Sequence, residues 1–208
     1  MIKMKTPTSP SVPIIKTTVP ANNLLKPELI WPSTCEKGVC SNDMREIPTE
    51  FQIKNKHDEW KRNNKLFESV EFWNSATIAE EIRIIDPHLD IHAMRSIREL
   101  LYIATGIKTL KILMNGKSSS EDIKLVFDDL CTHLIDHGCK GSLELKQGLD
   151  NSRYPYLHDR FALVDGELWH FGATVGGLHH SLNAFSRGWD DNKHNFKNFF
   201  ENVWVRYQ

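Results

Sequence analysis

Segments with a helical spacing of apolar residues alternate with short apolar runs from about residue 58 onward. The first run, Ile82 to Ile85, ends at Asp86-Pro87, because Pro87 has no N–H with which to extend a β-ladder. Two further runs, Thr109 to Asn115 and Ser142 to Lys146, each follow a predicted helix. Strands separated by helices need crossover connections, which produce a mainly parallel or mixed sheet. The alternation therefore predicts an α/β domain whose mixed β-sheet is sandwiched between helices.

The pattern changes towards the C-terminus. Arg160 to Val164 and Glu167 to Phe171 have the composition of strands, and only Asp165-Gly166 separates them. Asp-Gly between two such runs is typical of a tight β-hairpin. A helix and then a terminal strand, Asn202 to Tyr207, are expected after it. Before the first strand, residues 58–78 are expected to be helical.

The first fifty residues differ in composition from the rest of the chain. They hold seven of the nine prolines, mixed with Ser, Thr and Asn. This composition predicts an extended Pro-rich arm over residues 1–55 and a domain over residues 56–208. Docking of the arm's apolar cluster, Leu24 to Trp31, on the body or on a partner stays open.

Charge and hydropathy exclude several classes of protein. The 26 Lys and Arg residues balance the 27 Asp and Glu residues, with a net charge of -1, so any phosphate site must be local. No apolar run reaches about 18 residues, and the N-terminus lacks the apolar core of a secretion signal. The expectation is a cytoplasmic protein without a membrane partner. Its four cysteines, too few for a disulfide scaffold, are expected to be free thiols.

The predicted hairpin carries residues suited to phosphate chemistry. His158 and Arg160 are two positions apart and share a face if they lie on one strand. A neutral imidazole can attack phosphorus, and an imidazolium can protonate a leaving group. The guanidinium can hold non-bridging phosphate oxygens. The pair therefore predicts metal-independent phosphodiester chemistry, with no cofactor.

The order His158, Arg160, Asp165, Gly172 resembles the signature of the phospholipase D superfamily. That signature is H-x-K, four residues, D, six residues, then G-S-x-N, and the spacing is kept without a gap. The segment IRIIDPHLD, which contains Asp86 and His88, is similar to the first strand and turn of single-copy members. The resemblance covers roughly residues 58–207.

The resemblance implies a phospholipase D-like fold and cleavage through a phosphohistidine intermediate. His158 and Arg160 would be catalytic, Asp165 would support the hydrogen bonding and orientation of the site, and Asp86 and His88 would contact substrate. Because the motif occurs once, a second histidine would come from another chain, at a homodimer interface. The resemblance to small single-motif members implies a nuclease that acts on DNA rather than RNA. It also implies a role in bacterial defence, together with a larger defence or DNA-processing partner.

The chain also departs from the signature. Arg160 replaces the lysine, and Ala173 and Val175 replace the polar serine and asparagine. The alternative is therefore a catalytically degenerate phosphate- or nucleic-acid-binding or regulatory module. The remaining candidate substrate-binding residues are Thr174, Ser186 and Arg187.

Other clusters of polar and aromatic residues are better explained by structural roles than by metal or ligand binding. Two carboxylates and two imidazoles, the side-chain types that bind metals, alternate at Asp86, His88, Asp90 and His92. Because Pro87 begins a turn there, no metal is predicted. The usual spacing of zinc ligands is missing from the cluster Cys131, His133, His137 and Cys139. Zinc binding by this cluster together with Cys35 and Cys40 stays open. His179 and His180 are read as solvated loop residues or as residues lining the mouth of a cleft. Trp189 and Tyr154 would stack on bases only if they are exposed.

Overall fold

The computed structural model describes residues 25–34, 42–63, 66–115, 120–149 and 157–206. Within these ranges the chain forms seven strands and six helices. The strands are β1 Glu28–Ile30, β2 Glu81–Asp86, β3 Thr109–Met114, β4 Ser142–Lys146, β5 Arg160–Val164, β6 Glu167–Phe171 and β7 Phe185–Asp190. The helices are α1 Glu50–Asn63, α2 Val70–Ile78, α3 Ile91–Leu101, α4 Ser120–Asp136, α5 Asp191–His194 and α6 Phe196–Val205.

All seven strands belong to one sheet, in the order β1-β7-β6-β5-β2-β3-β4. β2, β3 and β4 are parallel, as helical crossovers require. The other neighbours pair antiparallel, including the β5–β6 hairpin at Asp165-Gly166. The predicted α/β class with a mixed sheet is confirmed.

Helices cover both faces of the sheet. Apolar residues of α2, α3 and α4 pack on one face, where Ile84, Ala162 and Trp169 are buried. α6 covers the other face with Phe200, Val203 and Trp204. The four strands β2, β3, β5 and β6 therefore alternate their side chains between two apolar cores, which explains the near-continuous apolar run of β2.

Two local predictions are wrong. Residues 58–78 do not form one helix: α1 ends at Asn63 and α2 begins at Val70, and between them Phe67 donates a backbone hydrogen bond to His179 at 2.9 Å. The expected terminal strand from Asn202 is part of α6. The spacing of Phe200, Val203 and Trp204 buries them together on a helix, and this burial outweighs the β-branched composition.

The described part of the N-terminal segment contacts the body. β1 extends the edge of the sheet by pairing with β7. The buried Asp43 accepts hydrogen bonds from the hydroxyl of Ser69 and from the backbone N–H groups of Val70 and Glu71, at the start of α2. The expected boundary at residue 55 falls inside α1, while residues 1–24 and 35–41 lie outside the described residues.

Within the ranges given above, none of the helices combines the length and apolarity needed to cross a membrane.

Candidate functional site

Four of the residues predicted to contact phosphate, Asp86, His88, His158 and Arg160, lie where β2 ends and β5 begins. These strands pair antiparallel, with Ile85 opposite Phe161, so the next pair along is Asp86 and Arg160. Arg160 shares its face with Ala162, which packs on the side of α2, α3 and α4. The site therefore lies at one end of the sheet, beyond the carboxyl ends of its parallel strands, where clefts form in open α/β sheets.

Asp86 is fully buried beneath this site. Its Oδ1 accepts a hydrogen bond from the backbone N–H of His88 at 2.8 Å, and its Oδ2 accepts one from Val175 at 2.9 Å. Burial raises the pKa of the carboxyl group to about 6, although both N–H donors and the charge of Arg160 favour the ionised form. Asp86 thus holds the chain after β2 and the chain after β6 together.

A tight turn, Val175–Gly177, brings the Val175 N–H to Asp86. Gly176 has a φ of 76°, and a Cβ atom on it would lie 2.2 Å from the ring of Trp73. The carbonyl of Gly176 accepts a hydrogen bond from Nε1 of Trp73 at 3.1 Å. Only glycine allows this close approach, so the turn is held against α2.

Arg160 is charged and only 15% exposed. Its Nε lies 4.0 Å from Oδ1 of Asp86, which is an ion pair without a hydrogen bond. Its Nη1 donates to the carbonyl of Gly172 at 3.4 Å. Within the described part of the chain, the buried Nε has no hydrogen-bond acceptor. An oxyanion at this point would supply the missing acceptor.

Three imidazoles surround the guanidinium. His158 is 76% exposed, and its ring contacts that of His88 edge-on with centroids 5.4 Å apart. Burial and the charges of Arg160 and His158 lower the pKa of His88. Burial also lowers the pKa of His179, and Arg160 and His180 add to this effect, against opposing contributions from Ser181 and Asp90. The imidazoles of His88 and His179 therefore favour the neutral form, and Arg160 carries the positive charge of the site.

Asp165 lies at the other end of β5, away from His158. Its carboxylate accepts hydrogen bonds from the backbone N–H of Glu80 at 3.1 Å and of Glu81 at 2.8 Å. Asp165 has a φ of 47° in the hairpin turn. Within one chain it therefore anchors the hairpin to the start of β2 and does not contact the imidazole of His158.

The other expected substrate contacts are divided between different places. Thr174 is buried directly before the turn that contacts Asp86. Ser186 lies on the opposite face of the sheet, where its hydroxyl accepts a hydrogen bond from Nε1 of Trp189 at 3.1 Å. Arg187 pairs with Glu167 at 2.9 Å and Glu71 at 2.8 Å, so its charge is already neutralised away from Arg160. The structure thus does not bring Ser186 and Arg187 to the site.

The sequence patterns that suggested metal ligands are separated in space or occupied by other contacts. Asp90 caps α3 by accepting from the backbone N–H of Ala93 at 2.8 Å. His133 contacts the carbonyl of Tyr102 at 2.7 Å, and the thiol of Cys139 donates to the carbonyl of Ile107 at 2.9 Å. In the described ranges, no three His, Cys, Asp or Glu side chains converge as metal ligands would. Cys35, Cys40 and Tyr154 lie outside the described residues.

His179 lies near Arg160, although the sequence did not assign it to the site. The signal that pointed to it was the Gly-Gly turn, because a loop closed so tightly after β6 must pass beside Asp86. The choice between a solvated loop and the rim of a cleft depended on the packing of Phe67 against this loop, which no local pattern predicts.

Similarity to known proteins is found among solved structures. No protein-family model matches the chain, and no curated protein matches it. Nuc, a phospholipase D family member from Salmonella typhimurium, is similar with a TM-score of 0.44 and 13% identity over 68% of this chain and 90% of Nuc. TrmBL2, an archaeal chromatin protein described with a novel mode of DNA binding, is similar with a TM-score of 0.40 and 18% identity. That match covers 67% of this chain and about half, 49%, of TrmBL2.

Proposed function

We propose that this protein is a metal-independent phosphodiesterase, a nuclease whose catalytic groups are His158 and Arg160. The observation that carries the proposal is the buried Nε of the partly exposed Arg160, which has no hydrogen-bond acceptor in the described part of the chain, close to the exposed imidazole of His158. A phosphodiester oxygen would accept from Arg160 while its phosphorus faces His158.

The proposed reaction has two steps. A ring nitrogen of neutral His158 forms a bond to phosphorus, and the bond from phosphorus to one ester oxygen breaks as an imidazolium protonates the leaving alkoxide. Water then attacks the phosphohistidine and gives its proton to the second imidazole, and the phosphorus–nitrogen bond breaks. Arg160 stabilises the added negative charge in both steps. Atoms and electrons balance without a metal or another reactant.

The second imidazole comes from another copy of the chain. In-line displacement needs the attacking and leaving groups on opposite sides of phosphorus. The rings of His88 and His158 are in contact, with centroids 5.4 Å apart, so they face a phosphate from the same side. A two-fold dimer would place the partner subunit's His158 on the far side of the phosphate. The proposal therefore includes a homodimer.

A phosphate-binding or regulatory module is the second proposal. The observation that favours it is the burial of Ala173 and Val175 where the resembled signature has polar side chains. With those groups absent, Arg160 would hold a phosphate without completing the reaction. Both proposals place a nucleic acid, DNA rather than RNA, at the same residues.

The cellular setting belongs to the same proposal. We place the protein in the cytoplasm, in defence against foreign DNA, together with a larger DNA-processing partner. Expression in cells challenged with a phage tests this setting. Protection that requires His158 and Arg160 would support it, and equal plaque counts with and without the protein would refute it.

Hydrolysis of single- and double-stranded DNA in the presence of EDTA tests the enzyme proposal. His158→Ala should abolish cleavage, whereas the matched His137→Ala, which removes an exposed imidazole from the end of α4, should not. Mixed dimers of wild-type and His158→Ala chains should also be inactive, because one composite site needs both imidazoles. If wild type and His158→Ala are equally inactive but bind DNA with the same salt dependence, the module proposal replaces the enzyme.

A further inference from the structure

A cavity lies on the opposite face of the sheet from Arg160, on the side of α6. Its volume is about 290 Å³, enough for one planar heterocycle. Phe161, Leu168 and Trp189 supply apolar walls, and His170, His194 and Ser186 supply polar groups. The lining is mainly apolar, so the cavity suits a flat ring better than a phosphate.

The aromatic rings in this cavity are held in place. The ring of His170 packs on Phe161 with centroids 5.0 Å apart, and Trp189 contacts His194 edge-on at 5.2 Å. Nε1 of Trp189 is bound to Ser186, which fixes the indole. A ligand entering the cavity would therefore meet preformed aromatic surfaces and would lose little energy to reordering them.

Asp159 connects this cavity to the phosphate site. It lies between His158 and Arg160 in the chain, and its exposed carboxylate lines the cavity. One oxygen is 3.9 Å from Nδ1 of His158, and the other is 3.7 Å from Nε2 of His170. The two sites thus lie on either side of one strand end, within the reach of adjacent groups of a single nucleotide chain.

We propose that this aromatic cavity binds one nucleobase of the strand whose phosphate lies at His158 and Arg160. The inference rests on the proposed function and adds a base subsite to it. The carboxylate of Asp159 accepts hydrogen bonds and donates none. In uracil and thymine the only ring donor, N3–H, lies between two carbonyl oxygens that a carboxylate repels, so the subsite favours a base with an exocyclic amino group. Stacking on His170, Phe161 and Trp189 supplies affinity for the ring itself.

Titration of the full-length protein with cytidine and uridine, two nucleosides without phosphate, tests this subsite. We expect calorimetry to show tighter binding of cytidine, together with a shift of the His170 imidazole resonances. His170→Ala should weaken cytidine binding about tenfold, and Asp159→Asn should remove the preference over uridine. The matched His137→Ala should change neither value.

The outcomes separate this inference from the proposed function. His158→Ala should still bind cytidine, because nucleoside binding needs no scissile phosphate. If His158→Ala loses phosphodiesterase activity but neither nucleoside binds to wild type, the enzyme stands and the base subsite is refuted. Equal effects of His170→Ala and His137→Ala would refute the subsite as well. Cytidine binding that depends on His170, in a protein without phosphodiesterase activity, would support the subsite while refuting the enzyme.

Discussion

Replacing Asp86 by asparagine removes a fully buried carboxylate below the proposed phosphate site while keeping its shape. The carboxylate accepts two backbone hydrogen bonds, one on each oxygen. An asparagine has only one accepting oxygen, so one N–H donor, that of His88 or of Val175, loses its partner. We expect this loss to cost about 1–3 kcal/mol at every pH.

Removing the charge of Asp86 also has a pH-dependent effect on the free energy of unfolding, and this effect stabilises the variant relative to wild type at neutral pH. Its pKa rises from 3.8 in an exposed aspartate to about 6 in the folded protein. The folded state thus binds the proton more tightly, so the contribution of Asp86 to stability is fully present below pH 3.8 and is lost as pH rises through 6. Two pH units correspond to about 3 kcal/mol, of which about 2 kcal/mol falls between pH 4.5 and pH 7.

Urea unfolding of wild type and Asp86→Asn at pH 4.5 and pH 7 measures this effect. The stability of the variant relative to wild type should rise by about 2 kcal/mol from the lower to the higher pH. Ile84→Val, a change without a titrating group in the same strand, should cost about 1 kcal/mol at both values. If the stability of wild type and of Asp86→Asn changed in parallel with pH, Asp86 would have the pKa of an exposed aspartate. That result would refute its assignment as a buried carboxyl group with a raised pKa below the site.

Three further changes test the packing around the site. Gly176→Ala should destabilise the protein by about 2 kcal/mol or more in thermal unfolding, because of its positive φ and the ring of Trp73; an unchanged melting temperature would show that the turn moves freely. Asp165→Ala should cost about 1 kcal/mol in urea unfolding, since two exposed backbone N–H groups exchange their carboxylate acceptor for water; a loss below about 0.3 kcal/mol would contradict this anchoring role. Arg187→Met should cost about 2 kcal/mol by leaving the carboxylate of Glu167 without its cationic partner, while Glu71 keeps Arg45, and the slope of DNA affinity against salt should stay the same; a shallower slope would mean that Arg187 contacts phosphate.

The local sequence pattern was sufficient to predict secondary structure where one short segment contains all the residues that determine it. Three features depend only on neighbours in the chain: the apolar run of β2 that ends before Pro87, the Asp-Gly hairpin, and the two-residue spacing of His158 and Arg160. Strands β2, β5 and β6 lie where these patterns predict. The same reasoning failed at Asn202 to Val205. Alternating Val and Trp suit either a strand or a helix, and only the apolar face of the sheet beneath α6 decides between them.

The sequence by itself determined the α/β class, the positions of most strands along the chain and the spacing that places His158 two residues before Arg160, the first residue of β5. Tertiary structure decided which distant residues join that pair. It brought Asp86, His88 and His179 around Arg160, turned Ser186 to the other face and neutralised Arg187 with two carboxylates. The physical reason is that burial and charge pairing depend on contacts between segments about 70 to 120 residues apart, such as Asp86 with Val175 and Glu71 with Arg187, which no local spacing encodes.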